Sequence, residues 1–416
     1  AVISGVEKSI QSLFSLSSFW HGFTVSSALI GTLIGALFGG WPAEKYGRKP
    51  VLFAIAVLFG LSALGSALTH SLAGFIFYRF IGGIAVGASS VVAPLYISEI
   101  APARVRGRMT ALFQFNVIFG ILVAYLSNYV LRNMSGQDWR WMLGVGAIPA
   151  LVYVFLLLMI DESPHYLIKI KKEEEAARVL YKIYGGDIPI RIAEIRESLA
   201  LKKERLFSGA FRKPISIAFL VAMFNQFSGI NAILYFAPRI FEMSGRTGDD
   251  SFLQSVMIGI TNAIFTLLGL LIIDKVGRKK LLIWGSAGMS ICLLLVARIF
   301  YQQAFGSYGL LYLFIGYIMF FAFSTGAVIW VLISEVFPGS VRGQGQSFGS
   351  FTHWFFAALI TFLFPAVVEK NQFGGAYAFA FFGVMMIVQA LVVWRYFPET
   401  KGKTIEELGQ QLSYKQ

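Results

Sequence analysis

The amino-acid sequence predicts an all-α membrane protein built from two six-helix halves, and three observations predict it. Hydrophobic residues make up 56% of the 416 positions and charged ones only 14%, with a mean hydropathy of +0.69. A soluble globule carries about a quarter charged residues. Apolar stretches of about 20 residues recur along the chain, each long enough to cross roughly 30 Å of hydrocarbon as a helix. Three polar motifs each occur twice at nearly one offset.

The apolar stretches lie near 20–41, 51–69, 72–98, 108–131 and 141–160, then 215–243, 252–273, 281–301, 308–334, 346–368 and 374–397. They lack the polar faces at helical spacing that buried helices of a large soluble protein would carry. The opening "AVISG" is apolar from residue 1, without a polar leader or signal-peptide layout. It is expected to be the outer half of a further helix whose start is absent, which makes twelve.

Lys45, Arg48 and Lys49 fall on the same side as Arg104, Arg106, Arg108, Lys275, Arg278, Lys279, Lys280 and Arg342, while the opposite loops hold few cations. The cation-rich side is cytoplasmic by the positive-inside rule, so both termini are expected inside, in the plasma membrane or a bacterium's inner membrane. This topology accounts for the net charge of +13 and makes nucleic acid an unnecessary partner. The stretch "KKEEEAARVLYKIYGG" in the one long polar segment pairs charges at i,i+4 and ends on two glycines, as a short surface helix would.

The repeats join "EKYGRK" at 44 to "DKVGRK" at 274, "SEIAPARVRG" at 98 to "SEVFPGSVRG" at 334, and "DESPH" at 161 to "PETKG" at 398, offsets of 230 to 237. Positive-inside topology explains the basic residues but not the repeated Glu, Pro and Gly. A duplicated six-helix unit does. The expected organisation is a first half at 1–160, a cytoplasmic linker at 161–214, a second half at 215–397 and a tail at 398–416. Parallel six-helix repeats are an architecture of secondary transporters, with substrate held near the midplane.

Polar side chains deep in apolar spans are costly and therefore informative. Gln114, Asn225, Gln226, Asn231, Asn262 and His353 all fall in span interiors, with Trp330 and Trp354 close by in sequence. The set is amide-rich and nearly uncharged, which suits a neutral ligand with many hydrogen-bonding groups and apolar C–H patches. At the cytoplasmic surface, Glu44, Glu99, Asp274 and Glu335 stand where Arg48, Arg106, Arg278 and Arg342 can bond to them. The expectation is a lock whose pairs join as the inner face closes.

Gly31, Gly35 and Gly39, and later Gly83 and Gly87, are spaced by four for close helix packing. "NMS" at Asn133 matches a glycosylation sequon. Cys292 is the single cysteine, so no intrachain disulfide is possible. Nothing resembles a nucleotide-binding loop, a metal cluster or a nucleophile triad. No cofactor is expected, the chain does not read as an enzyme, and energy must come from gradients.

The stretches "AVISG", "GGWPAEKYGRK", "YRFIGGIAVG", "YISEIAPARVRG", "DWRWMLG", "NQFSGINAILYFAP", "DKVGRK", "WVLISEVFP" and "FPETKGKT" carry a further identification. In their number and order the chain resembles the sugar porter branch of the major facilitator superfamily along essentially its whole length. Two departures stand out: Asp161 to His165 replace the usual Pro-Glu-Ser-Pro-Arg, and Asn225–Gln226 replaces a Gln-Gln pair. The resemblance implies that Gln114, Gln226, Asn231, Asn262 and Trp354 contact sugar, with His353 where a relative carries Gln. It implies that Tyr235 and Phe236 cover the site from outside, and that Thr325 and Gly326 form the flexible point of the tenth helix, without the family's prolines.

Arg79 lies about seven residues into the fourth helix, roughly 10 Å deep at 1.5 Å per residue, where a guanidinium needs a partner. No span interior holds an acid: Glu7, Glu44, Glu99, Asp138 and Asp161 read as helix ends. The resemblance places an Asp just before "AVISG" in proton-coupled members and an Asn in facilitators, so an Asp upstream of residue 1 is expected to pair with Arg79. The reading is a monosaccharide transporter working by alternating access, in symport with a proton, functional as a monomer in the bilayer. A facilitator without proton coupling is the alternative, and a transporter-like sensor a more distant one.

Overall fold

The structure is a computed structural model that describes residues 2–134, 136–200, 205–243, 248–305, 309–338, 340–401, 408 and 412. Among them no strand occurs, and eleven helices are long and apolar enough to cross a membrane. After a short α1 (Ile3–Leu13) these are α2 (Ser18–Phe38), α3 (Arg48–Leu68), α4 (Leu72–Ile100), α5 (Ala103–Leu131) and α6 (Asp138–Met159). Three linker helices follow, Pro164–Lys169, Glu173–Tyr184 and Ile188–Ala200. The chain then forms α7 (Arg212–Met243), α8 (Gly248–Val276), α9 (Arg278–Gln302), α10 (Gly309–Glu335), α11 (Arg342–Val368) and α12 (Gly374–Tyr396).

Local chemistry sets the ends. Ser71 caps α4 by accepting the Gly74 N–H, and Ser163 does the same for Tyr166 with Pro164 in the first turn. Glu173, Glu174 and Glu175 open the second linker helix, Lys182 lies in its last turn, and Gly185 ends it at φ +71°. Leu167, Ile168, Ala176, Val179, Leu180 and Ile195 give the linker its own small core. On the spans, Leu151, Phe155 and Met159 of α6 stay exposed, Met159 at 82%, as side chains facing hydrocarbon would.

By packing, the chain falls into two compact units that differ from the halves the repeats mark. One comprises Ser27–Gln114 and Gly144–Glu204; the other comprises Ala1–Ser26, Phe115–Leu143 and Arg205–Gln416. The repeat records a duplication of sequence, whereas the units record contact. α1 and the later part of α5 join the C-terminal helices because Asn128 donates to the Val2 carbonyl, Glu7 pairs with Arg239, and Tyr125 donates to the Leu234 carbonyl.

In the first unit α2 and α4 meet backbone to backbone. A Cβ on Gly31 or Gly35 would land on the carbonyls of Phe80 or Ile84, and one on Gly83 or Gly87 on those of Ala28 or Thr32. The two glycine series interleave, and any side chain there would force the helices apart.

Candidate functional site

Asn225, Gln226 and Asn231 come from the stretch where α7 breaks. Its first segment runs Arg212–Phe227, Gly229 turns at φ +82°, and the second segment starts at Ile230. Asn225 and Gln226 are 2% and 1% exposed, so bulk water does not reach their amides, which bond one another and neighbouring helices. Gln226 Nε2 donates to Asn225 Oδ1 at 2.9 Å and lies 3.2 Å from both ring nitrogens of His353. Asn231 Nδ2 donates to Gln226 Oε1 at 2.7 Å.

His353 sits between two indoles, with ring centroids 5.0 Å from Trp330 and 4.9 Å from Trp354. The Trp354 Nε1 donor is buried and finds no acceptor among the described residues. Thr325 lies in a π-turn, Ala322–Gly326, that interrupts α10. π-Turns are short interruptions of an α-helix that recur at functional sites, and Asn225 Nδ2 bonds the Thr325 carbonyl at 3.4 Å. α10 thus gains an irregular point without a proline. Asn262 is buried on α8.

Not every expected residue belongs to this group. Gln114 falls in the other unit, as does Arg79, partly buried on α4. Phe236 is fully buried at the second irregularity of α7 (φ −117°, ψ 18°), against His21 and Phe364. Tyr235, beside it, is partly buried. Gln389 on α12 escaped the sequence reading although it is a fully buried amide in an apolar span; its Nε2 bonds Thr325 Oγ1 at 3.5 Å.

The repeated polar motifs build one clamp twice. Arg48 Nη2 lies 2.6 Å from Glu99 Oε1 and Nη1 donates to the Ala43 carbonyl at 3.1 Å; Arg278 Nη2 lies 2.7 Å from Glu335 Oε1 and Nη1 donates to the Ile273 carbonyl at 3.3 Å. Glu162 accepts the main-chain N–H groups of Arg48 and Lys49, and Glu399 those of Arg278 and Lys279. These carboxylates cap the free N-termini of α3 and α9. Ser163 completes the first clamp by donating to Glu99, and Thr400 the second by donating to Glu335 at 2.5 Å. Each described pair stays within one packing unit, because each Arg opens a helix beside the end of the helix that carries its Glu. Arg342 donates through Nε to the Phe337 carbonyl at 3.4 Å rather than to Glu335, and Glu44 faces Lys169 at 3.8 Å. The side chains of Arg106 and Asp274, and Ser135 of the sequon, lie outside the described residues.

One cluster corrects the sequence reading outright. Glu7 is not at a helix end but inside α1, 1% exposed, with His21 Nε2 at 2.7 Å and Arg239 Nη1 at 3.2 Å from its Oε2. Arg239 also bonds Gln11 Oε1 at 2.7 Å and pairs with Glu369, to which Ser18 donates.

An interlocked patch of neutral donors, acceptors and indole faces is suited to a hydroxyl-rich neutral ligand. The family profile described as "Sugar (and other) transporter" matches residues 4–412. The chain belongs to this sugar transporter family. As a sugar transporter it is 36% identical over 450 residues to the D-xylose-proton symporter of Escherichia coli (strain K12), which covers 98% of this chain and 91% of that one. It is 35% identical over 419 residues to the arabinose-proton symporter of Bacillus subtilis (strain 168), covering 98% and 90%. Its fold matches the inward open conformation of the xylose transporter XylE from E. coli with a TM-score of 0.88 and 34% identity, covering 99% of this chain and 95% of that one. A transporter with major facilitator architecture, not an enzyme, is what these matches establish.

Proposed function

We propose that this sugar transporter carries a monosaccharide in symport with a proton by alternating access. The observation that carries the reading is the uncharged cluster of Asn225, Gln226, Asn231, His353, Trp330 and Trp354, whose amides interlock and whose aromatic faces flank His353. Such groups select a ligand by hydroxyl hydrogen bonds and C–H stacking and leave a charged solute undersolvated. The family resemblance adds Gln114 and Asn262 to the proposed sugar contacts, and Tyr235, Phe236 and Gly326 as the proposed gating residues of α7 and α10. Proton coupling is supported by the two relatives named as symporters and by Arg79, a guanidinium inside a span. The molecule works as a monomer in the plasma membrane, with both termini and the two arginine clamps on the cytoplasmic side.

Uptake of labelled pentoses, hexoses and polyols into proteoliposomes, with and without an imposed pH gradient, tests this. Uphill accumulation of one class under the gradient is expected. Equilibration without accumulation would leave a facilitator, and no uptake of any class would overturn the reading.

A further inference from the structure

α7 is broken twice, and each break leaves a main-chain carbonyl that its own helix cannot serve. Pro238 has no N–H, so the carbonyl of Leu234, four residues earlier, lacks the donor a continuous helix would supply. The Tyr125 phenol on α5 donates to that carbonyl at 2.5 Å. At the other break Gly229 takes up φ +82°, and the carbonyl of Ser228 just before it accepts from Tyr317 of α10 at 3.0 Å. The Ser228 hydroxyl in turn donates to the Asn225 carbonyl at 2.6 Å. Tyr125 is 1% exposed and Tyr317 fully buried, so both phenols serve these carbonyls away from bulk water. The ring of Tyr125 fits because α8 carries Gly259 there: a Cβ would lie 2.9 Å from Tyr125 Cδ2.

Between the two pinned carbonyls stands Asn231, whose amide meets Gln226. A free helical segment this short has little stability of its own; here its position is set by phenols from two other helices. We infer that Tyr125 and Tyr317 are positioning residues of the sugar site, holding the Ile230–Leu234 segment where Asn231 can engage the ligand. The inference rests on the sugar-binding reading above. Each tyrosine acts through a carbonyl of α7.

The test is sugar affinity of the purified full chain, measured by calorimetry with D-xylose, L-arabinose and D-glucose. Tyr125→Phe, which keeps the ring and removes only the donor, is expected to weaken binding by about fivefold or more. In a Pro238→Ala background residue 238 regains an N–H for the Leu234 carbonyl, so adding Tyr125→Phe there is expected to change affinity by less than about twofold. In an Asn231→Ala background it is likewise expected to add little. A tyrosine with only a structural role would lower the melting temperature and show neither coupling. Unchanged affinity in Tyr125→Phe, or equal losses with and without Pro238→Ala, overturns the inference while leaving sugar binding intact. If Tyr125→Phe is not recovered folded, Tyr125→Phe with Pro238→Ala is compared with Pro238→Ala alone, and Tyr317→Phe with wild type, by the same criteria. A wild-type protein that binds none of the three sugars overturns the functional reading and this inference with it.

Discussion

Arg239 and Glu7 form an ion pair at 3.2 Å between α7 and α1, with Glu7 almost completely buried. The same guanidinium also serves Glu369 and Gln11, so two carboxylates depend on one cation. Removing one member of a buried pair is far more damaging than never having had it, about 3–5 kcal/mol in typical cases. Arg239→Met is therefore expected to lower the melting temperature of the purified protein clearly. Adding Glu7→Gln should restore part of the loss, since the more deeply buried of the two stranded charges is then gone. Identical melting of wild type and Arg239→Met would show that the pair contributes nothing.

This cluster also marks where the sequence stops being legible. Hydropathy found the eleven spans because each must fill the bilayer with apolar side chains, a constraint that acts residue by residue. It found Asn225, Gln226, Asn231 and His353 because an amide or imidazole in such a span is conspicuous, and by that rule Gln389 was within reach. Glu162 and Glu399 were visible only as an echo between "DESPH" and "PETKG"; their task, capping α3 and α9, needs the fold. Glu7 lies 232 residues from Arg239, and Tyr125 lies 109 from Leu234. No local pattern joins such residues. The π-turn at Ala322–Gly326 had no proline to announce it.

Within the site, Gln226→Ala removes a side chain that bonds Asn225, Asn231 and His353, and Asn231→Ala removes one of those partners. Each is expected to lose at least one hydrogen bond to a buried sugar hydroxyl, about 1–3 kcal/mol or roughly 5- to 150-fold in affinity. Protein yield should change little. Calorimetric titration of each purified variant decides, and wild-type affinity in either would remove that residue from the site.

At the second clamp, Glu335→Gln removes the carboxylate that lies 2.7 Å from the buried Arg278 guanidinium, which keeps its bond to the Ile273 carbonyl. Glu399 still caps α9, so the helix should persist while its link to the end of α10 weakens. The expected result is greater access from the cytoplasmic side. Maleimide labelling of Ser334→Cys in a Cys292→Ser background reads it, with and without Glu335→Gln. Unchanged labelling of folded protein would confine the clamp to fixing helix ends.

Arg79 provides the sharpest separation of symport from facilitated diffusion. A guanidinium does not release its own proton in a protein, so it can serve coupling only by holding a carboxylate in its charged form and letting that form go as the helices move. An opposite charge within about 4 to 6 Å favours the ionised acid by 1–3 units, and removing the cation restores the ordinary affinity for the proton. Arg79→Gln is therefore expected to abolish uphill accumulation under an imposed pH gradient. Counterflow of labelled against unlabelled sugar needs no net proton movement and should survive, within about threefold of wild type. Sugar affinity should likewise hold, because the amide and indole cluster lies on α7, α10 and α11 and not on α4. If Arg79→Gln still concentrates sugar against its gradient, coupling runs through other residues. If both accumulation and counterflow vanish while binding remains, Arg79 is needed for the conformational change itself and not for the proton.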